Sequence, residues 1–480
     1  MSRTCIICGG AAGSGEHVFP ASLGGRRTNK GIYCSEHDGG YSGLVTELAG
    51  QLDIFNSMLG VRPDHSNDIK SILVVDKNSG QEIRLSARKG AFTAPRIVSQ
   101  SEVEDRTILN MSFPDRKAID TWADAKRAEG WTVDTPQRGK STTYLMDTIH
   151  LGRNFGGPYG LAAVAYIAQT FLAQAFPALA RSECLKHFKD YTRVLAKEIH
   201  EAKRDEAFHS SWADASPVWW DFDPQPNSTP NSFEFGHRVT VGVDAEDGLV
   251  YGRVSLFSVL HFSMIFGVAS GPLETRAVTT DIDPLAEHPP NDIVATETFD
   301  AICRVTRPTS ETEGLRNAIH GNNPEKIFSG LLQRMEDYSV DKCAKEMYTE
   351  LAGADGLGHS ELEALISSIL EKRVQRVWNL TKFVVENFKK SPGAAPLKAH
   401  WPELDALIEH DPTCPNGLTP VATAVLELSK TALLKEMTKD YGEGNLTEQR
   451  LGDLIGKGPG LFVVGQAVLN MFIAAVVPLR

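Results

Sequence analysis

Two close pairs of metal-binding side chains, Cys5-x2-Cys8 and Cys34-x2-His37, are separated by 25 residues near the start of this 480-residue chain. In a Cys-x2-Cys knuckle the backbone amides turn inward, where they favour thiolates around a metal. Four nitrogen and sulfur ligands in two pairs meet the need of a closed, tetrahedral Zn2+ site. Zinc bound in this way contributes about 10–16 kcal/mol of apparent binding free energy. That is enough to order a segment whose own apolar core is too small. The expected cofactor is one structural zinc on Cys5, Cys8, Cys34 and His37.

The residues between the pairs are not simple packing for a zinc knuckle. Glu16-His17 precede Val18-Phe19-Pro20, followed by Gly24-Gly25, Arg26-Arg27 and Asn29, and Asn29 stands five residues before Cys34. This order resembles the HNH endonucleases with a ββα-metal core, in their zinc-stabilised branch. Those proteins often read acidic-His-x-x-Pro, then Gly-Gly, then Asn five residues before a second cysteine pair. The resemblance is close over about the first 60 residues. "LGVRP", "NSGQEIRL" and "AAVAYIAQ" are similar, more loosely, to the body of longer HNH proteins. Those are bacterial or phage-linked, and several act in defence against foreign DNA.

The resemblance implies a metal-dependent phosphodiester hydrolase acting on nucleic acid, DNA before RNA. His17 would be the general base, since an imidazole with an ordinary pKa near 6.5 suits proton abstraction at neutral pH. Asn29 would orient that ring by accepting its other N–H. Glu16, on the opposite side of the strand from His17, would hold a divalent cation. Asp38, at the start of the following helix, would be the second ligand, and hard oxygen donors favour Mg2+ or Mn2+. Gly24-Gly25 would allow a tight loop near the nucleic-acid backbone, with Arg26, Arg27 and Lys30 supplying local positive charge for phosphates. The chain departs from the family at two places: many relatives have Cys at the position of His37, and His or Asn at that of Asp38. A second register therefore stays open, in which His37 binds the catalytic cation and zinc keeps only Cys5, Cys8 and Cys34. The first register is preferred, because three protein ligands leave a reactive position in a structural site. The alternative from another class is a treble-clef-like zinc module that binds nucleic acid or protein and cuts nothing, with Asp38 as a helix N-cap.

The rest of the chain must position this head. With 41% hydrophobic and 23% charged residues it reads as an ordinary soluble α+β protein. A formal net charge of −12 argues against coating nucleic acid by bulk electrostatics. Seven cysteines, an odd number, and the polar-broken start "MSRTCIICGG" suggest a reducing, cytoplasmic setting. The expected organisation is an HNH domain over 1–60, a mixed α/β body over 61–305 and a helical C-terminal region over 306–480.

In the head, "EHVFP" and "KGIYC" are expected as short strands. Leu44, Leu48, Leu52, Phe55 and Leu59 would share one helix face. In the body, "SILVVD" and "QEIRLS" read as a hairpin around "KNSG", "TILNMSF" as a strand, and the stretch after Pro114-Asp115 as a helix. "GPYGLAAVAYIAQTFLAQAFP" is apolar all round, hence a buried central helix. "NSFEFGHRVTVGV" and "LVYGRVSLFSVLHFSMIFGVAS" read as two paired strands about "DAEDG", and "DIDPLAEHPPND" as a solvent-exposed loop. Ser360 is the expected N-cap of one long helix running to Lys390. The helical region is expected to pack or bind, as a homo-oligomer or through a protein partner, and the apolar tail is expected as a buried helix and not a membrane span.

Overall fold

The computed structural model describes residues 3–64, 69–75, 82–86, 89–104, 106–134, 155–201, 216–221, 230–271, 274–297, 324–354, 356–411, 414, 417–456 and 458–476. Its described residues form a mixed α+β structure that divides into two compact units. One comprises 1–74, 84–90 and 150–333; the other comprises 75–83, 91–149 and 334–480.

The first unit is built on the helix Gly157–Ala175. Gly156 and Gly157, both with positive φ, turn the chain into it, Pro158 lies in its first turn, and every residue from Ala162 to Ala173 is buried. A helix this apolar must be covered on all sides. Part of its cover is a six-stranded antiparallel sheet. In spatial order its strands are Asp292–Glu297, Arg276–Ile282, His237–Val243, Leu249–Leu256, Leu260–Val268 and Val218–Trp220. The helices Ser42–Gln51 and Lys186–His200 also pack on it.

The stretch 249–268, expected as one strand, is a hairpin. Phe257 and Ser258 both take positive φ, at 51° and 61°. No glycine marks this turn, and tertiary contacts hold it. Phe257 N–H donates to His237 Nδ1, Ser258 N–H donates to Gly236 O, and Ser258 Oγ donates to Phe233 O and Gly236 O. The helical face expected from the leucine spacing is real: Leu44, Leu48, Leu52, Phe55 and Leu59 are all buried, although the chain forms two helices, Ser42–Gln51 and Asp53–Leu59, broken at Leu52.

The strands Ile72–Val75 and Glu82–Ser86 join a three-stranded sheet with Lys89–Phe92, and the "KNSG" turn lies outside the described residues. The expected boundary near 305 also lies outside them. Arg106–Ser112 pairs with Arg96–Val103, a strand with no expectation from sequence. The helix Arg116–Ala128 is capped by Asp115, whose carboxylate accepts from Ala118 N–H.

The C-terminal part of the second unit, from residue 334 on, is helical among the described residues. Trp378, Leu433, Met437, Leu451, Val464, Val468 and Phe472 meet in its core. The expected long helix is two, His359–Lys372 and Val374–Lys390. The first is capped by Gly358, whose N–H reaches Glu361 Oε2, so Ser360 lies inside the helix. Among the described residues no single helix is long and apolar enough to cross a membrane; the pair Glu448–Ile455 and Pro459–Ala474 passes only jointly, bent by 41°. The last helix buries Val464, Val468 and Phe472 and exposes Phe462.

Candidate functional site

Cys5, Cys8, Cys34 and His37 converge. Their ligand atoms all lie within 4.8 Å of one another, with Cys8 Sγ 3.9 Å from Cys34 Sγ and Cys34 Sγ 3.1 Å from His37 Nδ1. Tetrahedral zinc with Zn–S bonds of about 2.3 Å would set its sulfurs about 3.8 Å apart. Local backbone explains the convergence. Cys5 N–H donates to Gly10 O, Gly9 N–H donates to Cys5 O, and Gly9 has φ of 72°, which closes the knuckle. Cys34 is the N-cap residue of the short helix Ser35–Gly40, which carries His37 one turn on, with Asp38 N–H donating to Cys34 O.

The cluster favours thiolates at Cys34 and Cys5, whereas at Cys8 a lowering backbone hydrogen bond at Gly10 is outweighed by burial and the neighbouring sulfurs, which push its thiol up. A hydrogen bond from the His37 ring, joined by its backbone N–H, holds Cys34 below the ordinary thiol range. Burial pushes the Cys5 thiol up, but backbone N–H groups at Cys8, Cys34 and Ile7 outweigh it and lower the net value. A Cys3His group of this shape could hold a structural zinc. The described cysteines are all free thiols, and Cys303 lies outside the described residues.

Glu16–His17 and Thr28–Asn29 form a two-stranded antiparallel ladder, with Glu16 opposite Asn29 and His17 opposite Thr28. The second strand is thus Thr28–Asn29, ahead of the expected "KGIYC". Ile32 and Tyr33 are committed instead to the knuckle, through Ile6 N–H to Ile32 O and Gly13 N–H to Tyr33 O. The loop between the strands turns on Gly24, at φ of 90°, and on Gly25, where a Cβ would lie 2.0 Å from Phe19 O. Only glycine fits there.

His17 Nε2 lies 3.1 Å from Asp64 Oδ2, and Arg26 Nη1 donates to Asp64 Oδ1 at 3.2 Å. The hydrogen bond from His17 outweighs burial and, with help from Arg26, holds Asp64 below the usual carboxylate range. Asn29 is engaged away from the imidazole it was expected to orient. Its Oδ1 accepts from Gly31 N–H at 2.7 Å and its Nδ2 donates to Gln174 Oε1 at 2.5 Å. Asp38, in the first helical turn, accepts a hydrogen bond from Ser14 Oγ. Glu16, His17 and Asp38 are all half-buried, and Lys30 is exposed.

The two arginines are engaged within the chain. Arg26 Nη2 donates to Ala286 O at 2.9 Å, and Arg27 Nε lies 2.6 Å from Asp292 Oδ2. Of the segment 281–292, expected as a solvent-exposed loop, residues 287–290 are exposed, while Pro284 and Asn291 are buried on the glycine turn. Asn291 Nδ2 donates to Gly24 O at 2.8 Å and to Asp283 O at 2.9 Å, and a Cβ on Gly24 would lie 2.7 Å from Pro284 Cα. Arg62 pairs with Glu287 at 3.0 Å. Sequence reasoning missed Asp64, Gln174 and this segment. None sits at a motif spacing from the head.

The Cys3His group is seated on the buried helix. Tyr33 O–H lies 3.0 Å from Thr170 Oγ1, and Gln169 Nε2 donates to the same hydroxyl. Tyr41 stacks on Tyr166 with ring centroids 4.5 Å apart. Arg181 Nη2 donates to Thr4 O at 2.6 Å and to Gly31 O at 2.7 Å.

Gly358–Glu361, the stretch "GHSE", is the helix cap described above. Asp411 N–H donates to Gly417 O, while residues 415–416 of "CPNG" lie outside the described residues. No family model, no curated protein and no solved structure matches this chain.

Proposed function

We propose that the chain is a metal-dependent endonuclease of HNH type that hydrolyses phosphodiester bonds in nucleic acid, DNA before RNA. The observation that carries this reading is the order of the N-terminal module. A Cys3His cluster pins a two-stranded hairpin bearing Glu16 and His17 against a short helix bearing Asp38. The head is then a ββα-metal unit whose zinc is structural, on Cys5, Cys8, Cys34 and His37.

His17 acts as general base toward the attacking water. Glu16 and Asp38 offer hard carboxylate oxygens for Mg2+ or Mn2+. Among the described residues Glu16, His17 and Asp38 do not themselves form a close group of three, and Asp38 is engaged by Ser14 Oγ, so a cation and substrate would have to draw the carboxylates together. Two carboxylates, with water and substrate phosphate filling the remaining positions, suits Mg2+. The cation, when bound, stabilises charge on the scissile phosphate. Asn29 ties the hairpin to Gly31 and Gln174, so its part is to hold the strand and not the imidazole. Gly24-Gly25 shape the loop, and Arg26, Arg27 and Lys30 provide the cationic side. A body far larger than a 60-residue head needs for support suggests sensing, target selection or assembly by the remainder, as in a defence nuclease.

The second reading is a zinc module that binds and cuts nothing. It draws support from Arg26 and Arg27, whose charges are met by Asp64 and Asp292. Purified protein incubated with plasmid DNA and with RNA, with and without Mg2+ or Mn2+, separates the two. Metal-dependent cleavage that His17→Ala abolishes while bound zinc is retained supports the nuclease. Cleavage surviving that substitution removes His17 as base, and no cleavage under any condition favours the binding module.

A further inference from the structure

Asp64 is held as a phosphate would be held. Its two oxygens are divided between His17 Nε2, at 3.1 Å, and Arg26 Nη1, at 3.2 Å. The His17 and Arg26 side chains are 13% and 8% exposed, against 25% for Asp64. A guanidinium largely withdrawn from water recognises a carboxylate or a phosphodiester by the same chemistry, one negative charge spread over two acceptor oxygens, and the same carboxylate covers the Nε2 of His17, the proposed base.

The clamp is also loose. Charge-assisted N–H···O contacts usually close to about 2.7–2.9 Å. Arg27 and Asp292, at 2.6 Å, and Arg238 and Asp281, at 2.5 Å, are closer than either contact of Asp64. Arg26 does not depend on Asp64 for its position, because Nη2 is fixed on Ala286 O at 2.9 Å. Segment 283–292 is in turn tied back to Gly24 through Asn291. Arg26 Nε, buried, has no hydrogen-bond partner among the described residues, so the guanidinium keeps a donor in reserve. If Asp64 swings away, His17 and a positioned Arg26 remain facing the space it leaves.

We propose that Asp64 is an internal stand-in for substrate phosphate: its carboxylate occupies the anion subsite of Arg26 and covers the base His17, and nucleic acid must displace it to bind. This rests on the nuclease reading above and adds regulation to the same site. The chain is acidic in total, and a competing carboxylate at the one place where a phosphate must sit lowers affinity for nucleic acid that is not otherwise held.

The test uses the full-length, zinc-loaded protein and a fluorescein-labelled DNA duplex, with Ca2+ for binding and Mg2+ for cleavage. Asp64→Asn and Asp64→Ser both remove the charge, and each is first checked for zinc content and thermal melting. Glu183→Gln removes an equal charge at an exposed position elsewhere. Both Asp64 variants are expected to bind about two- to fivefold tighter than wild type, the size of one partly exposed ion pair. They should also show a log K against log salt slope steeper by about one phosphate contact, with Glu183→Gln unchanged. Wild-type cleavage together with unchanged or weaker binding by folded Asp64 variants overturns the stand-in and leaves the nuclease. An equal gain from Glu183→Gln also overturns it, as a general charge effect. If neither wild type nor the Asp64 variants bind or cut, the nuclease reading falls and the stand-in falls with it.

Discussion

The ring of Phe19, two residues beyond His17, stacks on the imidazole of His237 with centroids 5.0 Å apart and planes inclined by 25°. His237 begins a central strand of the six-stranded sheet, is fully buried, and accepts a hydrogen bond at Nδ1 from Phe257 N–H. One neutral imidazole therefore joins the hairpin of the candidate site, the sheet and the strained turn at 257–258.

Burial pushes His237 down to about 3, against an opposing backbone contact at Leu23. An unfolded histidine titrates near 6.5. Between those values the unfolded chain binds a proton that the folded chain refuses, so stability falls as pH drops. The contribution is fully present above about pH 6.5 and is lost toward pH 3, by at most about 1.4 kcal/mol per pH unit. Urea midpoints between pH 7 and 4 should fall more steeply for wild type than for His237→Asn, which starts lower because it also loses the stack on Phe19. Equal slopes would show that His237 is protonated in the folded chain.

Asp281 and Arg238 form a buried pair, with side chains 5% and 15% exposed, and Asp281 also accepts from Ser232 N–H and Oγ. Burial raises the Asp281 pKa, but the hydrogen bonds from Arg238 and Ser232 outweigh it and hold the carboxyl below its ordinary value. Its stabilising effect is thus present above about pH 4 and is lost as pH falls below that. Asp281→Ala strands a guanidinium and should cost about 3 kcal/mol at pH 7, measured as a lowered urea midpoint with zinc content unchanged.

Removing the metal should loosen the head. A ligand present at one hundred times its Kd stabilises by about 2.7 kcal/mol. Chelation, or Cys34→Ser, should lower the melting temperature and raise hydrogen exchange at residues 3–40. Elemental analysis should find about one zinc per wild-type chain. His37→Cys should keep the zinc, and would fail to do so if sulfur at that position cannot reach the cluster. If His37 instead served the catalytic cation, the same variant would keep zinc and lose cleavage.

Glu16→Gln and Asp38→Asn should each reduce cleavage by about 10²–10⁴-fold, in the range of a lost catalytic group. Added Mn2+ should recover part of that loss. Plasmid-nicking rates at several metal concentrations check this, and full activity in either variant would remove that residue from the cation site.

Gly25→Ala should destabilise by about 2 kcal/mol or more, because its Cβ would meet Phe19 O at 2.0 Å and Phe19 C at 2.6 Å, both backbone atoms. Gly13→Ala, where nothing lies within 4 Å, should stay within about 0.5 kcal/mol of wild type. Thermal melts of the pair test the claim.

What the sequence made legible was local. The cysteine spacing placed the Cys3His group, the unbroken apolar run placed the helix Gly157–Ala175, and the leucine spacing identified the buried face between Leu44 and Leu59. What it hid was long-range or carried by unusual residue types. The turn at Phe257-Ser258 has none of the Asn-Gly or Asp-Gly chemistry that advertises a hairpin, because hydrogen bonds from elsewhere hold its positive φ values. Asp64 follows Arg62-Pro63 with no periodic signal, and nothing near Arg26 shows that Ala286, 260 residues away, will accept its hydrogen bond. The segment 281–292 has the composition of an exposed loop, and its middle, 287–290, is one; only the contacts of its flanks with Gly24 and the two arginines went unseen.

The seating of Tyr33 on Thr170 and Gln169, and of Arg181 on Thr4 and Gly31, bears on how this head can be handled. A fragment cut after residue 60 would expose a tyrosine-rich underside and two backbone carbonyls bereft of their guanidinium. It should aggregate more readily than the whole chain. Grafting the head onto another scaffold means transplanting residues 155–185 with it.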